Sequence, residues 1–145
     1  MVQSSSSRAT GWGILALSVI GMVLVWIAFA GQYVDSREIE SQCPTDVPAG
    51  AIVTEDATAY ASQRTFIPAG RLCTYPTEDG GTVSVQTGWP STIGPFIGSA
   101  LGAVALALSW GLWRRTTAMQ QVLIHAVVLA LGLGWVSMAN FAALG

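Results

Sequence analysis

The chain has 145 residues, of which 52% are hydrophobic and 10% charged; it holds eight acidic residues, one histidine and no lysine, for a net charge of −2. A soluble domain carries about 25% charged residues, so the shortage points to a bilayer as solvent. The same inventory excludes lysine-based Schiff-base and P-loop chemistry, and it leaves no basic patch with which to bind nucleic acid.

Residues 1–10 read as a disordered, serine-rich cytoplasmic tail carrying Arg8. The run 11–31, GWGILALSVIGMVLVWIAFAG, has no ionisable side chain and predicts a first transmembrane helix. At 1.5 Å per residue, twenty-odd residues reach roughly 30 Å, the thickness of a hydrocarbon core. Ala28-Phe29-Ala30 also fits a signal-peptide cleavage site, and cleavage there would start the mature chain at Gly31. The apolar run exceeds the ~7 to 15 residues of a signal-peptide core, and this length favours retention as an anchor.

Residues 32–92 change character. They hold all eight acidic residues and three of the arginines, Arg37, Arg64 and Arg71, so the segment is net acidic. Short β-prone runs, AIVT from Ala51, TFI from Thr65, RLCTY from Arg71 and TVSVQT from Thr82, are separated by Pro and Gly. RLCTY and TVSVQT flank PTEDGG, whose Asp79-Gly80-Gly81 can supply the positive φ angles of a hairpin turn. So small a β-unit is marginal alone. Cys43 and Cys73, the only cysteines, are expected to pair as a staple across it, since an extracytoplasmic compartment favours oxidation. A redox role would call for C-x-x-C near a helix N-terminus, which is absent. Phe66, Ile67, Leu72 and Tyr75 form either the core of this loop or a binding face.

The second span is predicted at 93–113, a cytoplasmic turn at 114–121 and the third span at 122–144. Arg8, Arg114 and Arg115 belong inside by the positive-inside rule, which places the N-terminus inside, the 32–92 loop outside and the C-terminus outside. Trp12, Trp110 and Trp113 then fall at the inner interface and Tyr33 and Trp89 at the outer, with Trp26 and Trp135 deeper and used in helix packing.

Chemistry finds little to work with. His125 lies at the inner end of the third span, across the membrane from every carboxylate, so no Ser-His-Asp or Cys-His set can assemble in one chain. An intramembrane histidine is a candidate functional group; the alternative is a neutral ring bonded to a backbone carbonyl, Gln120 or Gln121. A metal or haem needs more ligands than this, and no metal or other cofactor is expected. Asn140, the other polar intramembrane candidate, is expected to bond to a neighbouring helix. Glu55-Asp56 and Glu78-Asp79 are adjacent pairs and read as solvated turn residues. No charged side chain lies inside a span and there is no internal repeat, which argues against transport.

Helix association is the positive signal. Gly94, Gly98 and Gly102 form overlapping G-x-x-x-G units, with Ser99, Ala103, Ala107 and Gly111 as an adjacent ridge. Ala126, Ala130 and Gly134 repeat the spacing in the third span, so spans two and three are expected to pack as an antiparallel pair. A second stripe is left for a homo- or hetero-oligomeric partner. Two function classes follow: a structural or accessory component of the cell membrane, or an extracytoplasmic ligand- or protein-binding module carried by the loop. An enzyme or transporter is not expected.

CPTDVPAG from Cys43, FIPAGRLCTY from Phe66, the D-G-G turn and GWPSTI before the second span resemble a plan found in small actinobacterial integral membrane proteins of unknown function. There an N-terminal anchor precedes an outer Pro-x-Gly-x-x-Cys-x-Tyr loop and further spans; Pro68, Gly70, Cys73 and Tyr75 match, and the likeness runs over residues 11–113. The resemblance implies a cell-membrane location and no particular activity.

Overall fold

The computed structural model describes residues 5–35, 43, 48–52 and 61–144, with backbone alone at 5–8 and 35. Three helices are long and apolar enough to cross a membrane: α1 (Ser5–Asp35), α2 (Trp89–Gly111) and α3 (Ala118–Ala143). Their apolar stretches hold 26, 23 and 26 residues, or roughly 35 to 39 Å of helix.

Each helix begins before the apolar run that announces it. The tail expected to be disordered through Thr10 is helical from Ser5, because a nucleated helix gains about one hydrogen bond per residue as it lengthens. Helix α2 begins at Trp89 rather than Ile93, with Pro90 in its first turn, where a missing N–H costs nothing. Helix α3 starts at Ala118, four residues ahead of the apolar run, because TTAMQ encodes a capping box. The Thr117 N–H donates to Gln120 Oε1 at 3.0 Å, and the Gln120 N–H donates to Thr117 Oγ1 at 3.2 Å. Replacing Thr117 by alanine should cost about 1 kcal/mol, read as earlier fraying of 118–121 in amide exchange.

The chain divides into two compact units, residues 1–29 with 93–137 and residues 30–92 with 138–145. In the first, the buried positions of α1 are Gly11, Ile14, Ser18, Gly21, Val25 and Ala28, a strict alternation of three- and four-residue steps. On α2 they are Pro95, Gly98, Gly102, Ala105 and Ser109, and on α3 Gln120, Gln121, Ile124, Leu131 and Gly134. This is a heptad seam, the period that keeps one face of each helix on its neighbours when the helices wind slightly around one another. Ile14, Ala105 and Ile124 form one buried cluster on it, with Leu15, Leu17, Leu106 and Leu112 packed against them. Gly98 meets Gly21 and Ala105 meets Ile14, so α2 runs antiparallel to α1; Gly102 meets Leu131 and Trp110 meets His125, so α3 runs antiparallel to α2.

The second unit holds a three-stranded antiparallel sheet in the order β1 (Ala61–Thr65), β2 (Gly70–Pro76), β3 (Thr82–Gln86). Cys73 pairs with Ser62 on one side and Val85 on the other; Tyr75 pairs with Val83. Cys73 and Tyr75 share one face and are buried, as period-two alternation requires. Residues 77–81 close the β2–β3 hairpin: the Gly80 N–H donates to the Thr77 carbonyl and the Thr77 N–H to the Gly81 carbonyl, each at 3.0 Å. Gly80 takes the positive φ, 76°, that this three-residue loop needs, and Gly81 does not.

Two expectations for the loop need correction. AIVT does not form a strand in its described part: Ala51 makes one bridge to Thr77, Ile52 donates to the Pro76 carbonyl, and 53–54 lie outside the described residues. Phe66 and Ile67 leave the sheet for the β1–β2 turn, where the Ile67–Pro68 peptide is cis. Glu55-Asp56, Arg37 and the side chain of Arg8 also lie outside the described residues.

Candidate functional site

Three constructions concentrate the side chains singled out by the sequence. In the first, α1 and α2 meet backbone to backbone. A Cβ added to Gly98 would overlap the carbonyl oxygen of Gly21 and stand 3.2 Å from Leu24 Cβ; one added to Gly21 would stand 3.3 Å from the Gly102 nitrogen. Gly102, whose backbone touches α1, turns its Cβ side to α3, where Leu131 Cδ1 would be 3.1 Å from a Cβ, and Gly94 has open space on its Cβ side. Gly134 turns to α1, with Val25 2.8 Å from a Cβ built on it. The Ala130 carbonyl accepts the Trp26 indole N–H at 3.0 Å, and Ala126 is exposed. The expected pairing of spans two and three through one continuous stripe therefore accounts for Gly102 alone. Gly98, Ala130 and Gly134 serve α1, because a seven-residue seam distributes a four-residue stripe between two neighbours.

Trp135 adds a cross-helix bond of its own, donating to Ser99 Oγ at 2.8 Å while Ser99 donates to the Pro95 carbonyl at 2.8 Å. The signal for Gly21 was the repeat Ile14, Gly21, Ala28 at seven-residue spacing, which a search for G-x-x-x-G passes over.

The second construction surrounds His125. Its Nδ1 lies 2.7 Å from the Gln121 carbonyl oxygen, and Trp110 Nε1 lies 3.2 Å from its Nε2. An indole N–H only donates, so Nε2 accepts and the imidazole proton sits on Nδ1, donated to the carbonyl. Both ring nitrogens of a neutral imidazole are thereby used, and a metal would have to displace the indole. Gln121 Nε2 donates to Thr116 Oγ1 at 2.8 Å, which pins the α2–α3 turn. Among the described residues, no group of three His, Cys, Asp or Glu side chains could hold a metal ion. Asn140 is exposed, and its side chain makes no hydrogen bond to a described residue. Among the described residues it makes no interhelical bond, since Leu131, Gly134 and Met138 occupy the buried face of α3 and Asn140 lies off it.

The third construction is the β-module. Cys43 and Cys73 are disulfide-bonded across a sequence separation of 30, with Cα atoms 5.9 Å apart, and Cys73 is fully buried. The β1–β2 turn is fastened to the first turn of α2. Thr92 Oγ1 accepts the Ala69 N–H at 2.7 Å, and Ser91 Oγ donates to the Ala69 carbonyl at 2.9 Å. Gly88, with φ at 92°, and Gly70 lie backbone against backbone there; a Cβ on Gly70 would come within 2.7 Å of the Thr87 carbonyl carbon. Gln86 Nε2 closes the strand ends by donating to Thr65 Oγ1 at 2.8 Å and the Thr87 carbonyl at 2.8 Å.

Arg64 pairs across the sheet with Arg71, a like-charge apposition, and stacks over the Phe141 ring at 5.0 Å from its centroid. Of the proposed loop face, Tyr75 is buried, Leu72 points to the opposite side of β2, and Ile67 is exposed in the turn. Tyr75, Leu72 and Ile67 therefore do not share one surface. The chain matches no protein-family model, no curated protein and no solved structure.

Proposed function

We propose that the chain is a multi-pass protein of the cell membrane with its N-terminus inside and its C-terminus outside. It presents residues 32–92 as a disulfide-closed extracytoplasmic module and serves as a structural or accessory component that packs against other membrane helices. The observation that carries this is an inversion of polarity. Ile20, Ile27, Leu129 and Leu133 are exposed, while Ser18, Ser109, Gln120 and Gln121 are buried in the seam. Exposed apolar area costs about 25 cal/mol per Å² in water and nothing in hydrocarbon. Orientation rests on Arg8, Arg114 and Arg115 lying at one end of the spans and all carboxylates in the loop.

The packing role draws on the ridge that the seam leaves unused. Ala103, Ala107 and Gly111 are exposed along α2, and Gly94 and Gly111 have open space on their Cβ side. Helix interfaces in lipid favour such small residues. Residue-specific crosslinking at Ala103 in native membranes should give one discrete higher-mass adduct, abolished by Ala107→Leu without loss of thermal stability. A monomer at high density in the membrane would contradict the role. The alternative, a ligand- or protein-binding module in the loop, draws on the half-exposed Ile67 at the β1–β2 turn.

A further inference from the structure

Residues 110–115, where α2 ends and the chain reverses through the 3₁₀ turn Trp113–Arg115, line an open hollow of about 510 Å³. Its lining includes two kinds of residue: Trp110 and Trp113, with exposed indoles, and Arg114 and Arg115, both exposed. Neither arginine makes a hydrogen bond or ion pair through its side chain to a described residue. Nor can the surrounding unit supply a partner, since residues 1–29 and 93–137 contain no aspartate or glutamate. Two adjacent cations beside a concave surface are thus left without a counter-charge from their own unit.

We propose that this hollow binds the phosphodiester of an anionic phospholipid, an assignment that rests on the bilayer placement proposed above. Two planar forks present a set of donors matched to phosphate oxygens, and bidentate pairing is the geometry in which arginine surpasses lysine. The C-terminal end of a helix would by itself repel an anion. Here the carbonyls of the turn are engaged: Leu112 accepts the Arg115 N–H at 2.7 Å, and Trp113 accepts from Thr116 and Gln121. The Trp110 indole is held by His125, so its N–H is spent and its ring offers an apolar wall.

A free phosphate ion would gain nothing from two indoles and Leu112. A lipid sets its glycerol and first methylenes against them while its phosphate meets the arginines, the arrangement for which interfacial tryptophan is suited. A zwitterionic headgroup brings its own cation toward Arg114 and Arg115, so the site selects headgroups with net negative charge.

The full chain, reconstituted in nanodiscs of phosphatidylcholine with or without phosphatidylglycerol, is to be examined by native mass spectrometry for retained lipid. Phosphatidylglycerol should be retained at least about tenfold over phosphatidylcholine, since each of the two arginines lining the hollow contributes a factor of about five toward an anionic headgroup seated there. Arg114→Gln with Arg115→Gln should bring retention to the phosphatidylcholine level with unchanged helical circular dichroism, and Arg114→Lys with Arg115→Lys should restore part of it. Arg8→Gln should leave it unchanged. Equal retention of both lipids, or loss of selectivity with Arg8→Gln alone, overturns the site. Displacement of phosphatidylglycerol by millimolar inorganic phosphate also overturns it and assigns the hollow to a soluble anion. A chain that enters discs of neither composition overturns the bilayer placement and the site together, whereas entry with no selectivity overturns the site alone.

Discussion

Replacing Gly98 by leucine is expected to disrupt the helical unit, with a loss of about 3 kcal/mol, the upper end of the usual cost of overpacking. At this crossing the obstacle is backbone: a single Cβ on Gly98 already overlaps the Gly21 carbonyl oxygen, which cannot move as a side-chain tip can. Separating α1 from α2 there also removes close packing along the rest of their seam, and in hydrocarbon that packing is the main attraction between helices. Gly94→Leu is the matched control, because nothing lies within 4 Å of its Cβ position. Thermal unfolding in detergent, followed by circular dichroism, should show a large fall for Gly98→Leu and little change for Gly94→Leu. Equal falls would mean that bulk on α2, and not the Gly21–Gly98 approach, determines stability.

Removal of the disulfide is the second large effect. Cys43→Ala with Cys73→Ala should destabilise the β-module by about 3 to 4 kcal/mol on the chain-entropy model for a separation of 30. A three-stranded sheet with few buried side chains has little stability beyond this, so the strands themselves should lose protection. Amide exchange at 70–76 and 82–86 should approach the rate of an unstructured chain in the variant, while exchange within 14–28 stays slow. Retained strand protection would show that the sheet holds without the bridge.

These two positions illustrate what the sequence makes legible. The three apolar runs, the RLCTY–TVSVQT hairpin and the cysteine pair are each stated by local composition, and each has its counterpart in the structure. Strand β1 is not legible in the sequence: ASQRT has no apolar alternation and is mostly exposed, and it is a strand because a short turn lays it against β2 in register. Helix α3 begins early because two glutamines that lower its hydropathy are satisfied by Thr117 and Thr116. Division of the glycine stripe between α1 and α3 was hidden because spacing within one helix says which face is small, not which neighbour comes to it. Asn140 and the Trp110–His125 bond were hidden for the same reason, since both depend on the rotation of α3 about its axis.

In the topology we propose, the three helices sit in a bilayer with Arg114 and Arg115 inside and the disulfide module outside. A phosphatase that is active only outside the cytosol, fused after Gln86, measures this most directly. High activity is expected for that fusion and none for a fusion after Arg115. Activity after Arg115 with none after Gln86 would contradict it, and would place the Cys43–Cys73 pair on the reducing side of the membrane.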